Sequence, residues 1–347
     1  MLKDVAFMLD KMTARLLDWL VAILIVCLLL WFFITQPLFP VTTESDLPEV
    51  SETNLRNHIT NLQNIDSTRQ VEKSASLAVD DYIFNYFSRL GAPSLQSFAT
   101  VTGRFNNVRL RLGPNTKQRL VIGVRYLPVP GVLKRQSNYS GLAVLLETAR
   151  LFSQQSKSLP MSVEFVAYGD SNADTVGAGS TYHAEALSRA RIPVSMLVDL
   201  QSVGYYREVK DSQEYPFSFM KVLYPNTGNF IALSSRLVDF VELRSVKRSF
   251  KSVSELQVES FSTPENVPVM DGVDHRSYWA NDYPVVQVGD LLSLRVEGGE
   301  QELSMDYSRM SKVVKALYLV ALAQDESNSG GYFDQLTQAV SGFMGGK

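Results

Sequence analysis

Few residues in this chain are of a type that can do chemistry. It has three histidines, His58, His183 and His275, and a single cysteine, Cys27, among 347 residues. Cys27 lies in an apolar N-terminal run, so the remainder has no thiol. That excludes a cysteine nucleophile and any thiolate metal site there, and it leaves the redox compartment undetermined. Three histidines are too few for a histidine-rich metal cluster. Asp274-His275, followed by Ser277, has the composition of an acid–base dyad with a nucleophile. No G-x-S-x-G elbow accompanies it, and a structural histidine bonded inside a turn uses the same residues. His58 and His183 fall on helical stretches and read as surface positions. Asp170 and Asp174 follow one predicted strand, and Asp199 lies two residues before Gln201 on another. Alternation along a strand places Asp199 and Gln201 on one face.

The elements that must position these groups alternate. Helical periodicity runs from Leu55 to Gly91, where the glycine is a helix stop. Ser97–Thr102 and Asn107–Leu112 alternate as edge strands do. Leu120–Tyr126, Ser162–Tyr168 and Val194–Leu200 are short, nearly continuous apolar runs, the mark of strands buried on both faces. Val285–Val288 is a shorter one. Helices are predicted over Gly141–Ser153, Thr181–Ala190, Phe230–Glu242 and Met310–Ala323. Strands alternating with helices predict a three-layer αβα sandwich around a mostly parallel mixed sheet. The net charge of −3, with no basic stripe interleaved with aromatics, gives no nucleic-acid footprint.

Leu16–Ile34 is apolar apart from Asp18, and no charge occurs from Trp19 to Thr43. About 20 apolar residues span a bilayer as a helix, and Trp19 and Trp31-Phe32-Phe33 sit where interfacial aromatics are expected. The run is too long for a signal-peptide core, and no small-x-small cleavage site follows it. Lys3, Lys11 and Arg15 precede the run, while Glu44, Asp46, Glu49 and Glu52 follow it. The positive-inside rule then puts the N-terminus in the cytoplasm and the main domain outside, periplasmic or extracellular. The expected organisation is a cytoplasmic segment 1–15, a transmembrane helix 16–36, a linker 37–54, a large domain 55–324 and a Ser/Gly-rich tail 325–347, which reads as frayed.

Several stretches from Leu55 to Ala323 together resemble the zinc-dependent aminopeptidases that include leucyl aminopeptidases and glutaminyl cyclases. LVIGVRY (Leu120–Tyr126) resembles their strand ending in His-Tyr-Asp. Ser137-Asn138-Tyr139-Ser140-Gly141 resembles their Asp-Asn-Ala-Ser-Gly helix start. VEFVAYGDSN resembles their strand ending in Glu-Glu, and Gln201–Tyr206 their Glu/Asp-Met-Ile-Gly-Tyr-Tyr. SQEYP (Ser212–Pro216) and YPNTGNFIA (Tyr224–Ala232) resemble one bacterial branch. Asp274-His275 with Tyr278-Trp279 resembles Ser-Asp-His-x-x-Phe-Trp, and Met305–Met310 resembles Leu-Asp-Tyr-x-Arg-Met. The resemblance implies a zinc-exopeptidase-like fold. In that family two zinc ions share a bridging carboxylate, and a glutamate acts as general base.

Carried over position by position, the resemblance implies that this site has changed. Arg125 stands at the histidine of His-Tyr-Asp, Ser137 at the bridging aspartate, Ser171 and Asn172 at the paired glutamates, and Gln201 at the next carboxylate. The last histidine belongs between Arg295 and Asp306, where VEGGEQELSM has none. His275 is retained, but in the family it lies beside the site. The expectation is a chain without catalytic residues, metal ligands or cofactor. Arg125, Ser137, Ser171, Asn172, Gln201, Asp274 and His275 would line the vestigial cleft. That cleft either binds a carboxylate such as a peptide end, or is filled by Arg125 standing in for the metal's charge. The functions that follow are an extracytoplasmic pseudopeptidase within an envelope protein assembly, a peptide-end binding module, or a residual hydrolase with an altered metal site.

Overall fold

The computed structural model describes residues 2–35, 47–69, 75–101, 103–126, 138–155, 159–169, 177–215, 217–265, 274–291, 294 and 305–324. The first helix, α1, runs Leu2–Thr35 without a break, so the N-terminal segment and the apolar run are one element. Within it Lys11–Leu30 has a mean hydropathy of 2.2, is long and apolar enough to cross a membrane, and is not buried by the rest of the chain.

The main domain is a three-layer sandwich. In chain order its elements are α2 (Glu52–Arg69), α3 (Ala75–Ser88), β1 (Ser94–Thr100), β2 (Gly103–Leu112), β3 (Arg119–Arg125), α4 (Tyr139–Gln154), β4 (Ser162–Tyr168) and α5 (Ala178–Arg189). They continue with β5 (Val194–Leu200), α6 (Met220–Leu223), β6 (Ile231–Arg236), α7 (Phe240–Lys251), β7 (Val258–Thr263), α8 (Asp274–Trp279), β8 (Val285–Gly289) and α9 (Tyr307–Leu322). The sheet order is β1-β2-β4-β3-β5-β8-β6-β7. β3 pairs in parallel with β4 and β5, β5 with β8, and β6 with β7; the pairs β1–β2, β2–β4 and β6–β8 are antiparallel.

Alternation along the central strands divides the core. Leu120, Ile122 and Val124 of β3, with Met196, Val198 and Leu200 of β5, pack on the face covered by α2, α3, α4, α7 and α9. Val121, Val166, Leu197 and Val285 pack on the other face with Ala184 and Leu187 of α5 and Tyr278 and Trp279 of α8. Burial on both faces explains why these strands read as continuous apolar runs.

The structure corrects several expectations. Phe230–Glu242 is not a helix: Ile231–Arg236 is β6, held between β7 and β8, and α7 begins at Phe240. Short apolar segments suit strand and buried helix equally by periodicity, and here sheet pairing decides. β2 is not an edge strand, because it pairs with both β1 and β4. His275 lies in α8 rather than in a turn. His58 and His183 are not surface residues, being 4 % and 0 % exposed. His58 follows Leu55 by three residues and precedes Leu62 by four, so the inward stripe of α2 includes it.

His58 Nδ1 lies 2.7 Å from the Tyr82 hydroxyl, and its ring stands edge-on to Tyr86 at 4.6 Å. Burial lowers its pKa to about 4, with Arg150 adding to the effect and Glu147 opposing it. The fold thus prefers the neutral ring, and the unfolded chain takes up the proton first. Stability from this preference is complete above the ordinary value of 6.5 and is lost as pH falls through about 4. Acidification from neutrality to about pH 4 is expected to remove about 3 kcal/mol through this group. Denaturant midpoints of the detergent-solubilised chain should show that loss, and His58→Gln should lack it.

Candidate functional site

The parallel register builds the site in ranks on the face that carries α8. Glu164, Val121, Leu197 and Val285 form one rank across β4, β3, β5 and β8. The next rank, toward the strands' C-terminal ends, is Val166, Gly123, Asp199 and Gln287. Tyr168 and Arg125 begin a third, and Gln201 follows β5 beside them. A Cβ on Gly123 would fall 2.5 Å from the Tyr168 ring, so only a glycine leaves room for that ring over β3. A Cβ on Gly141 would meet the Asn138 Oδ1 at 2.3 Å and the Gln201 carbonyl at 2.6 Å, so α4 approaches the end of β5 equally closely. Asn138 fastens this junction: its Oδ1 accepts from the Gly141 amide at 3.1 Å and its Nδ2 donates to the Leu200 carbonyl at 2.8 Å.

Arg125 reaches from β3 to the start of α8. Its Nε and Nη2 both donate to Asp274 Oδ2, at 3.0 and 2.6 Å. The side chains are 12 % and 1 % exposed, so the pair lies almost out of water. Asp199 is fully buried; its Oδ2 accepts from Gln201 Nε2 at 2.9 Å and stands 3.8 Å from His275 Nδ1. Burial pushes the Asp199 carboxyl above the usual carboxylate range, and Asp274 adds to the rise, while His275 and Arg125 oppose it. Arg125 therefore compensates Asp274 through direct contact and Asp199 only at a distance. Asp199 Oδ1 and Asp274 Oδ1 are buried without a hydrogen-bond partner among the described residues.

His275 is held from two sides. Its ring meets Trp279 at 4.5 Å, and Gln287 Nε2 lies 2.9 Å from its Nδ1. Gln287 Oε1 accepts from Ser234 at 3.1 Å, which turns the amide nitrogen of Gln287 toward the ring. Behind this group runs a buried chain of side chains. Glu164 pairs with Arg119 at 2.7 Å and lies 3.6 Å from His183; His183 Nδ1 lies 2.6 Å from the Tyr278 hydroxyl, which is 2.7 Å from that of Tyr168. Burial acts to raise the Glu164 pKa, but His183 and Arg119 outweigh it and bring it to about 2.

Of the residues expected in the cleft, Arg125, Gln201, Asp274 and His275 gather at this strand-end edge. Ser137, Ser171 and Asn172 lie outside the described residues, as do Asp170, Asp174, residues 296–304 of the VEGGEQELSM stretch and the tail from 325. Ser277 is not set against His275: its hydroxyl meets Thr181 at 2.7 Å and Ser180 at 3.3 Å. Gln287 and Tyr168 also belong to this edge, and Tyr278, part of the Tyr278-Trp279 resemblance, joins them through its hydroxyl. A Gly two residues before a strand-end arginine was the one signal for Tyr168, since a missing side chain invites a neighbour's ring.

No family model matches the chain. It is 32 % identical over 251 residues to the uncharacterized protein YfbL of Escherichia coli K12, a match covering 67 % of this chain and 76 % of YfbL. The chain belongs to the YfbL family. Solved structures share its fold. LapA of Legionella pneumophila superposes with a TM-score of 0.60 at 15 % identity, over 82 % of this chain and 77 % of LapA. A leucine aminopeptidase precursor of Bacteroides thetaiotaomicron gives 0.56 at 14 %, over 80 % of this chain and 99 % of that one. Porphyromonas gingivalis glutaminyl cyclase gives 0.56 at 13 %, over 79 % and 99 %. At these identities the likeness is one of fold.

Zinc-dependent exopeptidases occur among the proteins of this fold, so the described residues can be tested against zinc. They do not fit it. A guanidinium keeps its proton and cannot ligate, and Arg125 brings its own positive charge. Gln201 offers an amide already donated to Asp199. Among the described residues no three His, Cys, Asp or Glu side chains gather closely enough to hold a metal ion.

Two substitutions test these electrostatics. Arg125→Met strands the buried Asp274 charge and is expected to cost about 3–5 kcal/mol; adding Asp274→Leu should recover most of the loss in denaturant midpoint. The raised pKa of Asp199 means that the fold favours its protonated form. That preference helps stability at acid pH and turns into a cost as pH rises through the raised value. Asp199→Asn is therefore expected to raise the melting temperature at neutral pH, with the gain vanishing below about pH 4.

Proposed function

We propose that this chain is a membrane-anchored, non-catalytic relative of the zinc exopeptidases, and that its domain serves as an interaction subunit of an envelope protein assembly. The observation that carries the reading is the Arg125–Asp274 pair, with both donor distances at 3.0 Å or less, at the strand end where the resemblance places a zinc-binding histidine. A fixed, already neutralised cation takes up the charge that a metal would supply. Gln201 in place of a carboxylate, and Ser137, Ser171 and Asn172 in place of the remaining acidic groups, support the same conclusion from the sequence. The apolar surface of α1 supports an anchor, because a bare stripe of that length is costly in water. Basic residues before the run and acidic residues after it favour an external domain on the cytoplasmic membrane.

The peptide-end reading needs a guanidinium free to grip a carboxylate, and Asp274 already occupies two of its N–H groups. The altered-metal reading draws on the 3.8 Å approach of His275 to Asp199, one carboxylate and one imidazole. A purified, detergent-solubilised chain separates the readings. The expected result is no stoichiometric transition metal by elemental analysis and no release of N-terminal residues from peptides. Stoichiometric zinc together with peptide turnover would overturn the proposal and favour the altered-metal site. Turnover abolished by Asp199→Asn or His275→Ala would then locate it.

A further inference from the structure

Exposed apolar side chains flank α6. Phe217, Phe219, Val222 and Leu223 are exposed at 40, 63, 86 and 42 %. That element is firmly built. Met220, at the start of α6, is buried with Tyr215, Phe230, Ala232, Phe261 and Leu291. The Tyr215 hydroxyl donates to the Pro225 carbonyl at 2.7 Å, and the Tyr224 hydroxyl to the Ser260 carbonyl at 3.0 Å. The Phe217 and Phe219 rings stack at 5.8 Å. Met220 thus anchors the turn inward, while four large apolar side chains on either side of it point out. Contiguous outward apolar groups on a rigid element mark an interaction surface. Lys221 lies among them, with a stem long enough to carry its ammonium to one side.

The position of this knob suggests its occupant. α6 leads into β6, which runs antiparallel to β8 with Ala232 opposite Gly289, so α6 lies at the edge where β3, β5 and β8 end. The chain enters the domain at the same end. Arg56 of α2 lies 4.1 Å over the Tyr307 ring, and Arg309, on the same helix as Tyr307, lies 4.7 Å over Tyr206 and pairs with Glu208. Residues 36–46 separate α1 from Leu47, a length that reaches at most about 40 Å when fully extended. That tether lets this end of the domain lie against whatever surface holds the candidate membrane helix.

We propose that Phe217, Phe219, Val222 and Leu223 form a second membrane contact, seated in the headgroup–acyl boundary of the bilayer that holds α1. Aromatic and aliphatic side chains with a neighbouring lysine suit that boundary. The contact rests on the anchor reading given above. It turns the strand-end cleft toward the membrane, so a partner of that cleft must approach along the bilayer plane.

The test uses the full chain in phosphatidylethanolamine–phosphatidylglycerol vesicles. An environment-sensitive fluorophore is placed on Val222→Cys in a Cys27→Ser background, and quenching by nitroxide-bearing lipids is read. The expected result is a blue shift and a roughly twofold loss of emission on adding nitroxide lipid. The same label on Val238→Cys should be unaffected; that residue is also apolar and 72 % exposed but lies beyond the opposite end of β6. A label on the native Cys27 reports the anchor separately. Quenching at Cys27 without quenching at Val222 overturns the second contact and leaves the anchor standing. A blue shift at Val222 without lipid quenching also overturns it, because another protein or a second copy then covers the knob. Absence of quenching at Cys27 removes the anchor reading and this proposal with it.

Discussion

Burying both faces of a largely parallel sheet drives most of the polar chemistry in this fold toward one edge. Helices cover β3, β4, β5 and β8 on both sides, so the side chains these strands turn into the layers are mostly apolar. Most of the polar groups gather where the strands end, where ligand sites of open α/β sheets lie; Glu164, buried within β4 against Arg119 and His183, is an exception. Gly123, Asp199 and Gln287 make the rank at which the apolar interior gives way. Beyond it come Arg125, Gln201 and Asp274. The location of the site follows from the sheet, whatever the site now does.

What the edge contains is governed by charge. Two buried carboxylates, Asp199 and Asp274, need a compensating cation, and Arg125 supplies one that cannot leave or change its protonation state. The compensation is unequal: Arg125 grips Asp274, and Asp199 is left with an amide, a nearby imidazole and a raised pKa. A protein built this way shares its fold with aminopeptidases and glutaminyl cyclases and holds Arg125, Asp199 and Asp274 at the strand ends. Shared fold and shared chemistry are separable, and the second has to be argued from the side chains present.

The parts of the chain that could be read without a structure were those governed by short-range rules. An uncharged run of bilayer length reads as one helix because composition and length suffice. Val194–Leu200 and Ser162–Tyr168 read as strands with the same limits the fold gives them, because strands buried on both faces are continuous apolar runs. Four members of the candidate site, Arg125, Gln201, Asp274 and His275, could be named because each sits beside a motif of the zinc aminopeptidases.

Tertiary structure decided the rest. Ile231–Arg236 became a strand only because β7 and β8 were there to pair with it; alone, its apolar residues suit a helix as well. His58 and His183 are buried by packing against Tyr82, Tyr86 and Tyr278, partners that no local pattern announces. A glutamine in a strand carries no signal, so Gln287 emerged as the partner of His275 only in three dimensions. The sequence by itself determined that an arginine stands where the resemblance expects a metal-binding histidine. Only the fold decided that this arginine is bound to Asp274, 149 residues away along the chain, because neutralising a buried charge depends on distance in space.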